Sequence, residues 1–514
     1  MANNKDPINK EFFLLCLLSS GLLLLPISNQ SLWIDEAWTA WFASHNSVGS
    51  LITTLKKLNT SDMQMPLYLF YIQVWVKVFG ISEYALRLSN LPFGIILVAA
   101  LGWISRVVLR RQYLWIGFCF SPFIWFYMNE ARPYMALMAF GALTIAALLV
   151  YFADCKKYAS YAPWLALSSL LIGCGFNLLA GFLVPALLVL GIFNIKDKQI
   201  TIRALADDWK WPLVVELPLL ITLGGFYTWT VINGIGEMTR EPGLSNIGFA
   251  FYEFIGFMGL GPPRNLLRIE HNYLSFIAYW PWLVFGIGEF IIVFIAAWRH
   301  MNFKNHSLWA VSGSFILSLA IFFIVSYIVK FQFLGRHLAV LFPLFLLVVI
   351  QSINTARKEK RWISFERIVF SLLILVWSIS DIRMMVLPKY HKDDYLQAAR
   401  LALDEARRTD GKIIWAADRI GGRYYGIQLD GDNQMDLTWE IRGKGIFGGN
   451  WEQKQTINYI KNMMGKAPII LVLSKPDIYD RKKGWNYAIK EIGAKRISSA
   501  HAFNIYEFAR RSEE

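Results

Sequence analysis

Asp35 and Glu36 are adjacent carboxylates that follow directly on the first apolar run of the chain, 12–27, and stand among Trp33, Trp38 and Trp41. Carboxylates held beside an aromatic interface belt are costly unless they have work to do. Such a carboxylate can take a proton from a hydroxyl, which is general base chemistry. Other charges gather at similar places along the chain: Glu130 and Arg132 in a turn between apolar runs, Arg336 and His337 where another run opens, and Arg264 and Arg268 in a long, aromatic-rich loop. An arginine at such an edge can grip a phosphate bidentately, or it can snorkel to the interface. Glu130 and Arg132 can equally form a structural salt bridge or a cap near Pro133, and Glu36 can cap the helix it begins.

The elements that must position these residues are membrane helices. Of 514 residues, 55% are hydrophobic and 17% charged, against about a quarter charged in soluble domains. Mean hydropathy is +0.39. Apolar stretches near or above the spanning length recur from residue 11 to about 381, so the chain is expected to be a polytopic α-helical membrane protein. The first run is read as a span rather than a cleavable signal, because many more follow. The net charge of +14 fits basic cytoplasmic loops better than a nucleic-acid partner. The four cysteines lie in or beside apolar segments and show neither metal-ligand nor disulfide spacing.

Basic clusters punctuate the apolar runs at Lys5/Lys10, Arg106/Arg110/Arg111, Lys156/Lys157, Lys196/Lys198/Arg203, Arg299/Lys304 and Arg357 to Arg361. All can sit in the cytoplasm if the chain makes about eleven crossings, with the N-terminus inside and the C-terminus outside. Pro66–Phe79 is then a juxtamembrane or half-inserted helix; twelve crossings would leave one basic cluster on the wrong side. Val48–Leu58 is expected to lie on the membrane surface. The expected division is a membrane domain over 1–384, with external loops 29–65 and 234–270, and an external soluble domain over 385–514. In that second part helix and strand alternate: helices at 393–408, 451–464 and 479–492, buried strands at 412–416 and 468–473, and one or two strands within 496–508. This is a small α/β domain. Gly421-Gly422-Arg423 is too short, and lacks the strand context, for a nucleotide loop. In membrane transporters and lipid flippases, the rival class, internal repeats and mid-span charges are typical. Neither is visible here.

Four motifs in order carry a family resemblance: Asp35-Glu36-Ala37; Pro66-Leu67-Tyr68 with Lys77 to Leu88; Tyr127 to Tyr134; and Gly335-Arg336-His337 leading to Phe342-Pro343. Together they resemble the GT-C glycosyltransferases, nearest the bacterial branch of protein O-mannosyltransferases and aminoarabinose transferases. The resemblance covers roughly residues 10–350. It implies transfer of a sugar from a polyprenyl-phosphate carrier to a glycan, lipid or protein acceptor at the external face of a bacterial inner membrane. It puts the catalytic role on Asp35, with Glu36 as the less certain neighbour. It implies phosphate and substrate contacts at Arg336, His337, Arg132 and Glu130, then Arg264 and Arg268, with Gln64 and Tyr68 also at the site. Gln64-Met65-Pro66 departs from the family pattern, where the first position often serves a metal or the site, and Gln64 is a poor metal ligand. A divalent ion remains an open expectation, with Asp35 and Asp62 as its possible ligands.

Overall fold

The computed structural model describes residues 10–109, 114–198, 200–233, 241–268, 273–299, 306–355, 363–431, 439–464 and 467–509. Among the described residues seven helices are long and apolar enough to cross a membrane: Glu83–Val107, Tyr134–Ala153, Leu178–Asp197, Ile202–Ile232, Trp309–Ile328, Gly335–Ser352 and Ile368–Val386. Shorter apolar helices, Pro66–Phe79 among them, pack around these. The expected polytopic helical membrane domain is therefore present. The first apolar run differs from expectation: its helix covers Lys10–Leu22, 13 residues. That is about 20 Å of rise against a hydrocarbon core of about 30 Å. Successive i→i−3 turns continue the winding from Leu23 to Ile27, the end of the apolar run that leads to Asp35.

Two helices form the centre. Tyr134–Ala153 and Gly335–Ser352 each have 89% of their most apolar window buried, whereas Ile202–Ile232 has 11% and presents its side chains outward. The central pair approach closely at Gly141, where a Cβ would lie 2.8 Å from the Val340 carbonyl oxygen. Small residues permit such contacts between membrane helices. Each central element begins beside a charged candidate: Arg132 precedes the first, and Arg336 lies in the opening turn of the second. The expected 234–270 loop is structured where it is described. Leu244–Ile255 is a helix closed by Gly256 at φ +94°, and Arg264–Arg268 is a short helix.

The C-terminal domain is a six-stranded sheet in the order β2-β3-β1-β4-β6-β5. The strands are β1 (Lys412–Ala416), β2 (Ile427–Leu429), β3 (Gly443–Phe447), β4 (Ile469–Ser474), β5 (Lys495–Ala500) and β6 (Phe503–Phe508). β2, β3, β1 and β4 run parallel, while β6 and β5 add an antiparallel edge. The buried strands at 412–416 and 468–473 are found nearly as expected. β2, β3 and the helix Arg419–Tyr424 were not expected. That helix corrects the reading of Gly421-Gly422-Arg423, which does follow a strand. The glycines serve packing: a Cβ on Gly421 would lie 2.6 Å from Tyr395, and one on Gly422 would lie 2.7 Å from the Trp415 indole nitrogen. The soluble domain rests on the Ile34–Ala43 helix through Asp418, whose Oδ1 accepts from Trp38 Nε1 at 3.1 Å.

Candidate active site

Asp35 opens the Ile34–Ala43 helix, where the dipole favours a negative charge. Its Oδ2 accepts a hydrogen bond from Arg336 Nη1 at 2.7 Å across 301 residues of sequence. Burial alone would raise the Asp35 carboxyl, but Arg336, Arg132 and Lys475 outweigh it and hold the group below the usual aspartate range. Arg336 lies over the rings of Trp33 and Tyr134, at 5.3 and 5.8 Å, and its buried Nε has no partner.

Arg336, Trp33, Arg264 and His337 line a cavity of about 1210 Å³, together with Phe126, Phe249 and Tyr252. Asp35 is paired with Arg336 at the edge of this lining and is not itself among the lining residues. Arg264 faces the same space, paired with Glu253 at 2.6 Å and stacked 4.5 Å from the Phe126 ring. Its Nε is likewise buried without a partner. Two arginines with unused donors therefore converge on one cavity, a suitable arrangement for a phosphate. His337 Nδ1 accepts from the Leu334 amide at 3.0 Å, which fixes its ring at the start of the turn. The Arg268 side chain lies outside the described residues.

The other expected residues fall elsewhere. Glu36, expected beside Asp35 as a catalytic neighbour, is fully buried and faces the protein interior. Its carboxylate accepts from Arg87 Nη2 at 2.8 Å, from Arg87 Nε at 3.0 Å and from the Ala131 amide at 2.9 Å. Arg87 also donates to the carbonyls of Ser28, Gln30 and Ser31. Its carboxylate partner is thus Glu36, not Glu83 four residues before it. Burial opposes ionisation of Glu36, but Arg87 and Lys392 overcome it and bring the carboxyl down to about 2. This pair ties the Asp35 helix to the neighbouring span.

Arg132 reaches Asp62 at 3.0 Å and Thr39 Oγ1 at 3.4 Å, bracing the same helix. Glu130 is buried, with Lys392 Nζ 3.6 Å away, and burial raises its carboxyl despite that lysine. Tyr68 is packed in the core against Phe176, and the Gln64 carbonyl accepts from Tyr227 at 3.4 Å. Neither Gln64 nor Tyr68 is among the residues that line the cavity. The donor set does not suit a divalent ion: Asp35 and Asp62 each face an arginine. Among the described residues no three His, Cys, Asp or Glu side chains converge. Sequence reasoning passed over Lys389, Lys392, Lys475 and Arg481, which also line the cavity. The only signal was a lysine directly after a buried strand and before Pro476.

The same architecture occurs in two crystal structures of ArnT from Cupriavidus metallidurans, one bound to undecaprenyl phosphate and one apo. TM-scores are 0.51 and 0.52, with 10% identity over 97% of this chain and 98% of that one. The chain has the ArnT fold. The helical membrane architecture expected from the sequence is therefore found, together with the C-terminal sheet domain. No family model matches the sequence, and no curated protein does. The ArnT fold extends past the expected 10–350 into the C-terminal sheet domain.

Proposed function

We propose that this chain is an integral membrane glycosyltransferase that moves a sugar from a polyprenyl-phosphate carrier to an acceptor at the external face of the bacterial inner membrane. The N-terminus is then cytoplasmic and the sheet domain external. The observation that carries this reading is the Asp35–Arg336 pair, 2.7 Å apart at the wall of the large cavity. The undecaprenyl phosphate bound by the ArnT structure supports the carrier class.

In the transfer, the acceptor hydroxyl oxygen forms a bond to the anomeric carbon. The bond from that carbon to the phosphate oxygen breaks, and its electron pair leaves with the phosphate. Arg336 and Arg264 stabilise the charge of the departing phosphate, and Asp35 takes the hydroxyl proton. In the resting structure Arg336 suppresses the basicity of Asp35. As the guanidinium turns to the carrier phosphate, Asp35 loses its counter-ion and becomes a better base. Carrier binding and base activation are thereby one event.

The test uses purified protein in liposomes with labelled polyprenyl-phosphate sugars. Asp35→Asn should lower turnover by about a hundredfold to ten-thousandfold and leave undecaprenyl phosphate affinity intact, whereas Arg336→Ala should weaken carrier binding first. Wild-type turnover by Asp35→Asn ends this mechanism.

A further inference from the structure

The parallel part of the soluble sheet has a topological switch point. The chain leaves β1 toward β2 and β3 on one side, and leaves β4 toward β5 and β6 on the other. In open α/β sheets, ligands bind outside the carboxyl ends of the strands at this point. Here those ends face the catalytic helix. Beyond β1 comes Asp418, held to Trp38. Beyond β4 comes Lys475, whose Nζ lies 5.9 Å from the Trp33 ring. Arg336 lies 5.3 Å from that same ring. One indole, two residues before Asp35, is thus flanked by a cation from each domain, and all three side chains line the cavity.

Lys475 is held there against its local preference. Its φ is +41°, a left-handed conformation that is uncommon outside glycine. A residue before proline is normally extended. Its ammonium is paired with Asp393 Oδ2 at 2.5 Å and is nearly buried, with 12% of the side chain exposed.

We infer that the soluble domain is a working part of the catalytic site: Lys475 is a positioning residue that fixes Trp33 against Arg336 and sets the charge balance at Asp35. This rests on the glycosyltransferase reading above. The groups that act on Asp35 come from every element around it: Arg336 and Tyr134 from the central helices, Arg132 from the turn before one of them, and Lys475, Asp418 and Tyr479 from the soluble domain. Among those from the soluble domain, Lys475 is the cation. Asp393 is the carboxylate paired with that cation, so removing one or the other is expected to shift Asp35 in opposite senses.

The experiment is the pH profile of sugar transfer from labelled polyprenyl-phosphate sugars. Lys475→Asn tolerates the left-handed backbone and deletes the charge. Its acid limb should move up, by less than the ~1–3 units of a direct partner. Asp393→Asn frees the lysine and should move the limb down. Lys475→Arg should restore the wild-type profile. Profiles for Lys475→Asn and Asp393→Asn that match wild type, or shift in the same direction, overturn the inference. So does failure of Lys475→Arg to rescue. If Lys475→Asn does not fold, the opposite shift in Asp393→Asn still decides. Absence of any carrier-dependent transfer by the wild-type protein would instead strike the glycosyltransferase reading itself.

Discussion

Replacing Glu36 with Gln separates a structural role from a chemical one. Glu36 and Arg87 are both fully buried, and removing one partner from such a pair strands the other charge at a cost of about 3–5 kcal/mol. The carboxyl's fall from an ordinary 4.5 to about 2 gives a similar figure, about 3 kcal/mol at roughly 1.4 kcal/mol per unit. The sign follows from the depressed value. The stabilisation is complete above 4.5 and is lost as pH falls toward 2. At pH 7, Glu36→Gln should therefore melt well below wild type when followed by tryptophan fluorescence in detergent, and the gap should narrow as pH falls from 4.5 toward 2. The double variant Glu36→Leu/Arg87→Met should recover part of the loss, since apolar replacement of a buried pair is often tolerated. At a temperature where the single variant remains folded, turnover should stay within an order of magnitude of wild type. Wild-type melting combined with collapsed turnover would refute this and return Glu36 to the chemistry.

Gly335→Ala should weaken undecaprenyl phosphate binding by about tenfold or more, roughly 1.4 kcal/mol, because its Cβ would sit 2.0 Å from Glu253 Oε2 and disturb the seats of Arg264 and Arg336. Gly313→Ala, with nothing within 4 Å of its Cβ, should bind normally in the same titration. A reporter active only in the cytoplasm, fused after Glu514, should stay silent if the sheet domain is external.

The membrane helices were legible because apolar runs of spanning length have few other uses in a chain so poor in charge. β1 and β4 were legible for a related reason: both are short continuous apolar runs, KIIWA and IILVLS. β2 has three residues, and β3 carries two glycines and a lysine in five, so neither shows a strand pattern. Asp35 and Arg336 could each be named from motifs, but not their bond, since 301 residues separate them. Glu36 and Asp35 look equivalent in sequence. One helical step of rotation sends the first into the core and leaves the second paired with Arg336 at the edge of the cavity lining, and nothing in the local pattern says which. Lys475 and Lys392 were missed because they follow from how the two domains dock.

Four cations in the cavity lining rest on carboxylates: Arg336 on Asp35, Arg264 on Glu253, Lys475 on Asp393, and Lys392 between Glu36 and Glu130. A site of unpaired buried cations would be costly to fold. In the proposed transfer, Arg336 and Arg264 would meet the carrier phosphate by exchanging partners, so that binding strands no charge on either cation. What the exchange liberates is a carboxylate. At Arg264 that carboxylate is Glu253, which is fully buried. At Arg336 it is Asp35, the one proposed to accept the proton. On that proposal the pairing would keep the base quiet in the empty site and release it only when a phosphate is present to be expelled, which would limit premature hydrolysis of the carrier sugar by water.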